Sequence, residues 1–138
     1  MHASAAEPIR IVAAVIRDPA GRVLLVRKRG TATYIQPGGK REPDEAALQT
    51  LQRELAEELG VAVAPGTARA LGTFSDRAVH EAGRRVEAEV YLCDVTGTAR
   101  PGAEIEALAW VDASAPDAAL QIAPLSRHHI LPRVAALR

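Results

Sequence analysis

Aromatic side chains are almost missing from this 138-residue chain, which has one Trp, one Phe and two Tyr. A core must therefore be assembled from Val, Leu, Ile and Ala; the apolar share of 48% is ordinary for a globular domain. Cysteine is nearly missing as well: the single Cys93 has no internal disulfide partner, which excludes a small disulfide-stapled scaffold. Neither sign of charge is in excess, since 17 Lys and Arg balance 17 Asp and Glu. Nothing advertises a nucleic-acid polymer or an anionic membrane as partner, and phosphate recognition has to be local. Long apolar runs are also lacking. Ile11 to Ile16 is the longest, far short of the roughly 20 residues that span a bilayer, and Met1 to Pro8 has neither the basic start nor the apolar run of a signal peptide. These absences lead us to expect a cytoplasmic protein forming one domain over residues 1–138, with residues 1–8 as a flexible N-terminal tail.

Ile9 to Arg17 is rich in β-branched residues and ends at the turn cluster Asp18-Pro19-Ala20-Gly21, after which Val23-Leu24-Leu25-Val26 predicts a second strand. Tyr34-Ile35-Gln36 reads as a short strand entering Pro37-Gly38-Gly39, where the backbone preferences predict a loop of defined shape. A long helix is expected to start at Pro43-Asp44-Glu45, with a cap candidate and an acidic first turn, and to stop at Gly60. Ala70–Phe74 and Val86–Val95 read as strands, the second alternating Val86, Ala88, Val90 and Leu92 with Glu87, Glu89, Tyr91 and Cys93. Thr96 to Gly102 reads as a loop and Ala107–Val111 as a last strand. Ser126 to Leu137 reads as a closing helix that Pro132 delays or kinks. Strands on both sides of a central helix indicate an α/β layered domain.

Chemistry-bearing residues concentrate in Gly39-Lys40-Arg41-Glu42-Pro43-Asp44-Glu45 and, seven residues on, in Arg53-Glu54-Leu55-Ala56-Glu57-Glu58-Leu59-Gly60-Val61. At about 100° per residue, Glu54, Glu57 and Glu58 share an arc of roughly 100°, and Leu48, Leu51, Leu55 and Leu59 fill the adjoining one. Carboxylates spaced i, i+3 and i+4 repel each other, a repulsion that a divalent cation would relieve. Hard oxygen ligands suit Mg²⁺ or Mn²⁺, ions that keep waters and take up phosphate oxygens. Taken alone, an acidic run on a helix is more often a solvated face.

Spacing and context outweigh that ordinary reading, because the segment resembles the Nudix box position for position. Glycine, five residues, glutamate and seven residues are followed by Arg-Glu-aliphatic-any-Glu-Glu-any-Gly-aliphatic, with no required position missing. The flanks resemble the family too: Val23–Arg27 before the box, Pro37-Gly38 adjoining it, Trp110-Val111 after it. The resemblance implies a Nudix-type α/β/α sandwich with a central mixed β-sheet. It also implies a Mg²⁺-dependent hydrolase, Mn²⁺ being the other candidate ion, that cleaves the diphosphate linkage of a nucleoside diphosphate derivative. It assigns the metal to Glu54, Glu57 and Glu58 with the Gly38 carbonyl, and has Glu45 and Arg53 brace the loop against the helix. The catalytic set it implies is Glu54, Glu57, Glu58, Arg53 and Glu104, the last standing six residues before Trp110 where one known general base lies. Glu58 is an alternative base, and Glu87 or Glu89 could project toward the metal. Substrate contacts are expected from Arg27, Tyr34 and Gln36.

Two positions depart from the family pattern: Asp44 stands where glycine is common, and Gln36 where a large apolar residue is usual. Glu106 is expected at a solvated strand end, Arg84, Arg85 and Arg127 as solvated charges, His128 and His129 as helix caps or packing, and Trp110, Phe74 and Cys93 in the core. Neither the proline of ADP-ribose enzymes nor the tyrosine of dinucleoside polyphosphate enzymes is found, and Ser126 occupies the region where oxidised-dGTP enzymes carry an asparagine. A compact chain without insertions then favours a nucleoside triphosphate pyrophosphohydrolase releasing a nucleoside monophosphate and pyrophosphate. The alternatives are an ADP-ribose or other nucleotide-sugar or dinucleotide pyrophosphatase, and a catalytically silent nucleotide-sensing domain. The expected partner is a small nucleotide, with no nucleic-acid polymer and no membrane, bound by a monomer or homodimer.

Overall fold

Val12, Ala13, Ala14 and Val15 are each at most 1% exposed, and an unbroken apolar run of this kind has to be covered on both faces. In the computed structural model, which describes residues 7–137, the run lies in an interior strand with a helical layer on either side. Residues 1–6 of the expected tail lie outside the described residues. The elements in chain order are β1 (Ile9–Val15), β2 (Val23–Lys28), β3 (Tyr34–Ile35), β4 (Gly38–Lys40), α1 (Ala47–Leu59), β5 (Ala62–Val63), β6 (Arg69–Arg77), β7 (Arg85–Leu92), β8 (Val95–Thr96), β9 (Ile105–Val111), a π-helical stretch Leu125–Ile130, and α2 (Leu131–Ala135) continuing from it.

The turn between β1 and β2 is built by Asp18, whose carboxylate accepts the N–H groups of Ala20 and Arg22 at 3.0 and 2.8 Å. The two strands stay together only near that turn, where the Leu24 N–H donates to the Ile16 carbonyl at 3.0 Å. They then part into a four-stranded sheet of order β4-β1-β7-β6 and a three-stranded one of order β3-β2-β9. β1 and β7 run parallel while the other pairings of these strands are antiparallel, so the central sheet is mixed. Leu51, Leu55 and Leu59 of α1 pack on Val12, Ala14, Leu24 and Val26. Leu125, Ile130, Leu131 and Val134 cover Ala13, Val15, Val23 and Leu25 on the opposite face. This is the α/β/α sandwich expected from the sequence, and no helix among the described residues is long and apolar enough to cross a membrane.

Several local expectations are corrected. α1 begins at Ala47 rather than at Pro43-Asp44-Glu45, and its first turn holds no acidic residue. Asp44 instead takes a left-handed φ of 69°, and Glu45 turns away to other partners. The N-terminal cap is the Gln49 side chain, which accepts the Ala46 N–H at 2.7 Å. Of the expected loop Pro37-Gly38-Gly39, the two glycines belong with Lys40 to a strand, Gly38–Lys40, paired with β1. β5 and β8 form a two-residue ladder, too short to leave an alternation in sequence. The closing helix starts as a π-helical turn, with the Leu131 N–H donating to the Ser126 carbonyl; Pro132 has no N–H with which to continue a regular α turn.

Leu48 is 45% exposed and Trp110 37% exposed, so neither belongs to the core, whereas Phe74 packs against it and Cys93 is buried. Leu55, fully buried, provides the matching contrast. Leu55→Ala is expected to destabilise by about 2–5 kcal/mol, and Leu48→Ala by no more than about 0.5 kcal/mol. Urea unfolding of the two variants checks this; equal losses would contradict the assignment of α1's buried face.

Candidate active site

Gly60 ends α1 in a left-handed conformation, φ 68°, with its N–H on the Ala56 carbonyl at 3.1 Å. The chain later folds back onto this terminus: the Arg100 and Gly102 N–H groups donate to the Leu59 and Glu58 carbonyls at 3.0 and 2.8 Å, satisfying acceptors a helix end leaves open. A Cβ on Gly102 would lie 2.8 Å from the Glu57 carbonyl oxygen, so this close return requires glycine. The returning loop carries Glu104 to the helix that bears Glu54, Glu57 and Glu58.

A second loop approaches from the other side. The Pro37 carbonyl accepts the Ala14 N–H at 2.9 Å, and the Gly38 N–H donates to Glu58 Oε1 at 3.1 Å. Gly38 has φ 145°, and a Cβ there would press on the Val12 and Ala13 backbone. A Cβ on Gly39 would come within 2.6 Å of both carboxylate oxygens of Glu54. Both glycines of the Pro37-Gly38-Gly39 turn are thus fixed by space, the second because a carboxylate lies flat against it.

Arg53 ties these parts together. Its Nε and Nη2 hold both oxygens of Glu45 at 2.7 and 2.8 Å, Nη1 reaches Glu54 Oε2 at 2.8 Å, and Nη2 also donates to the Lys40 carbonyl at 3.0 Å. Glu45 additionally accepts the Glu42 N–H at 2.9 Å and the Thr50 hydroxyl at 2.8 Å. This is the brace the sequence implied, built on a bidentate fork that lysine cannot reproduce. Arg53→Lys is therefore expected to lower turnover by about 10–100-fold through misplacement of Glu54. Steady-state kinetics beside circular dichroism check this, and unchanged turnover would remove Arg53 from the positioning set.

The electrostatics follow from burial. Glu58 is 6% exposed, and desolvation pushes its carboxyl up to about 7, the Gly38 N–H opposing and the Glu54 charge adding to the shift. Burial also raises Glu54, against the pull of Arg53. Glu45, gripped by Arg53, falls to about 2. Lys28 pulls both Glu54 and Glu58 downward and lines the cavity described below, a position that sequence reasoning did not single out. Strand parity carried the signal: Leu24 and Val26 pack toward α1, and Lys28 follows at the same parity, while Arg27 lies on the opposite one.

No three His, Cys, Asp or Glu side chains converge as a ready-made cage among the described residues, since protein donors hold Glu54 and Glu58. The donor set nonetheless fits a hard divalent cation. It offers three carboxylates from two turns of one helix, two of them raised in pKa by burial, and a glycine that leaves Glu54 its space.

A cavity of about 410 Å³ joins these groups. Lys28, Gly38, Glu54, Glu57, Glu58 and Glu104 line it together with Gln36, Ala123, Leu125 and Ser126. Arg27 and Tyr34 are not on this lining. Arg27 stacks over the Tyr34 ring at 5.9 Å, donates to the Thr31 carbonyl at 2.8 Å and pairs with Glu106 at 3.4 Å. Glu87 and Glu89 pair instead with Arg10 at 3.3 Å and Arg41 at 2.6 Å and are not on this lining. Arg84, Arg85 and Arg127 bond to Glu81, Ser75 and the Leu120 carbonyl, and His129 bonds to Asp76 at 3.0 Å.

Fold and site together define a hydrolase of pyrophosphate linkages. The sequence matches the NUDIX domain over residues 7–133, and the chain belongs to the Nudix family, whose members work with a divalent cation on small nucleotide substrates. The solution structure of the E. coli ORF135 protein is 30% identical, covering 96% of this chain and 91% of that one with a TM-score of 0.75. The MutT protein from Methanosarcina mazei Go1 is 27% identical over 95% and 96% of the two chains, TM-score 0.75. The MutT NUDIX hydrolase from Burkholderia pseudomallei is 25% identical over 94% and 96%, TM-score 0.72. No curated protein sequence gave a match.

Proposed function

We propose that the chain is a Mg²⁺-dependent nucleoside triphosphate pyrophosphohydrolase that releases a nucleoside monophosphate and pyrophosphate. The observation supporting this most is a single cavity lined both by carboxylates with Lys28 and by small apolar residues. The carboxylates and Lys28 suit a metal-bound phosphate chain, and the small apolar lining suits a base.

Glu54, Glu57 and Glu58 would hold the cation, with the Gly38 carbonyl as backbone ligand. When bound, a divalent cation neutralises charge developing on phosphoryl oxygens and lowers the pKa of a bound water. Glu104 lines the same cavity and serves as general base, taking the proton of the water that attacks phosphorus as the bond to pyrophosphate breaks. Glu58 is less suited to that task because its Oε1 is held by the Gly38 N–H. Lys28 supplies positive charge to the phosphates, and Arg53 positions Glu54 without touching substrate. Gln36 meets the base.

The test is incubation of the purified protein with Mg²⁺ and a panel of canonical and oxidised nucleoside triphosphates, ADP-ribose and dinucleoside polyphosphates, with products separated by ion-exchange chromatography. Pyrophosphate and a monophosphate from a triphosphate are expected. Turnover confined to ADP-ribose or the dinucleotides would overturn the substrate assignment.

A further inference from the structure

Apart from Glu58, itself 6% exposed, the most buried lining of the cavity is apolar except for two side chains. Ala13, Ala123 and Leu125 are 0%, 7% and 6% exposed, and the polar ones, Gln36 and Ser126, are 5% and 1% exposed. The more exposed lining includes Val79, His80 and Glu81 from the connection between β6 and β7, whereas Gln36 belongs to the buried lining. Its amide is oriented by one contact: Nε2 donates to the Ala14 carbonyl at 3.0 Å, at the place where β1 has parted from β2. Reversing the amide would set its oxygen against that carbonyl. Oε1 is therefore turned away from the strand, and among the described residues it is a buried acceptor without a hydrogen-bond partner. An unpaired buried acceptor is costly and is ordinarily satisfied by a bound group.

We propose that Gln36 selects the substrate's base, its Oε1 accepting a hydrogen bond from an exocyclic amino group such as the 4-amino group of cytosine or the 6-amino group of adenine. This rests on the proposed nucleotide site. Lys28 and the cation that the carboxylate helix would hold place the phosphates, and the apolar lining around Gln36 disfavours charge, so the base is the part of the substrate that reaches Gln36. An oxo group in the same position places two acceptors face to face. A site built around an unsatisfied acceptor discriminates strongly against a ligand that lacks the donor.

The experiment compares bases that differ only in amino against oxo. Binding of CMP and UMP, and of AMP and IMP, is measured by titration calorimetry with Mg²⁺, and turnover of the matching triphosphates under the same conditions. The wild type is expected to prefer the amino member of at least one pair by about tenfold or more. Gln36→Leu should shrink that preference to within about twofold, the larger loss falling on the amino member; Gln36→Met is the substitute if the leucine variant does not fold. Absence of a preference in the wild type overturns the proposal. So does an equal loss for both members in the variant, which would limit Gln36 to holding the Ala14 carbonyl. Amino-selective binding without turnover would sink the hydrolase reading and leave this one standing, and turnover without base preference would do the reverse.

Discussion

Replacement of Glu57 by glutamine is expected to lower turnover by about 10²–10³-fold while the fold stays intact. The separation of activity from stability follows from where Glu57 sits. Its side chain is 54% exposed, and the contact it makes with Arg53, at 3.9 Å, is long, so little packing is lost with its charge. Glu54 and Glu58 are less clean probes, since the first is held by Arg53 and the second by the Gly38 N–H. Turnover numbers measured beside thermal midpoints check this. A variant that keeps wild-type turnover would show that Glu57 belongs to a solvated acidic face, the ordinary reading of such a run.

The second large effect is on stability as pH changes. Glu58 has an ordinary carboxyl value of 4.5 and is raised to about 7 in the fold, by burial above all. Between these values the folded protein holds a proton that the unfolded chain has released. The metal-free protein must therefore lose stability as pH rises from about 4.5 through about 7 and change little from this cause above that. Glu54 acts in the same sense. Glu45, lowered to about 2 by Arg53, works the other way: its contribution is present above 4.5 and disappears as pH falls through 2, outside this window. Glu58→Gln in EDTA should flatten the loss by an amount on the order of 2–3 kcal/mol. Mg²⁺ should stabilise the wild type more at pH 8 than at pH 5.5, because the proton competes with the ion. Chemical unfolding across pH, with and without Mg²⁺, measures both. A Glu58→Gln variant with the wild-type slope would show that Glu58 is not the titrating group.

Sequence made the two ends of this account legible to different degrees. Leu51, Leu55 and Leu59 declare the buried stripe of α1, and the glutamate spacing declares the site, because both depend on helical periodicity alone. Leu48 satisfies the same periodicity yet lies at the helix start, where the sheet no longer covers it. The expected helix start at Pro43-Asp44-Glu45 is not used, because Asp44 is left-handed and the Gln49 side chain does the work of a conventional cap. Arg27 is expected at the substrate from its match to a family position alone, and Lys28 carries no such match; parity decides which face of β2 a side chain occupies. Glu106 is the extra residue opposite the Arg27–Lys28 step in β9, a bulge that composition does not reveal. The orphaned oxygen of Gln36 depends on where β1 and β2 separate, a tertiary fact with no local signature.

The most direct measurement of the central claim is pyrophosphate release from a nucleoside triphosphate under three conditions: wild type with Mg²⁺, wild type with EDTA, and the Glu54→Gln, Glu57→Gln, Glu58→Gln triple variant with Mg²⁺. Release in the first condition and none in the other two is the predicted result. Release that survives EDTA or the triple substitution would contradict a metal site on α1. A wild type that binds nucleotide and Mg²⁺ but releases nothing would make the domain a sensor instead of an enzyme.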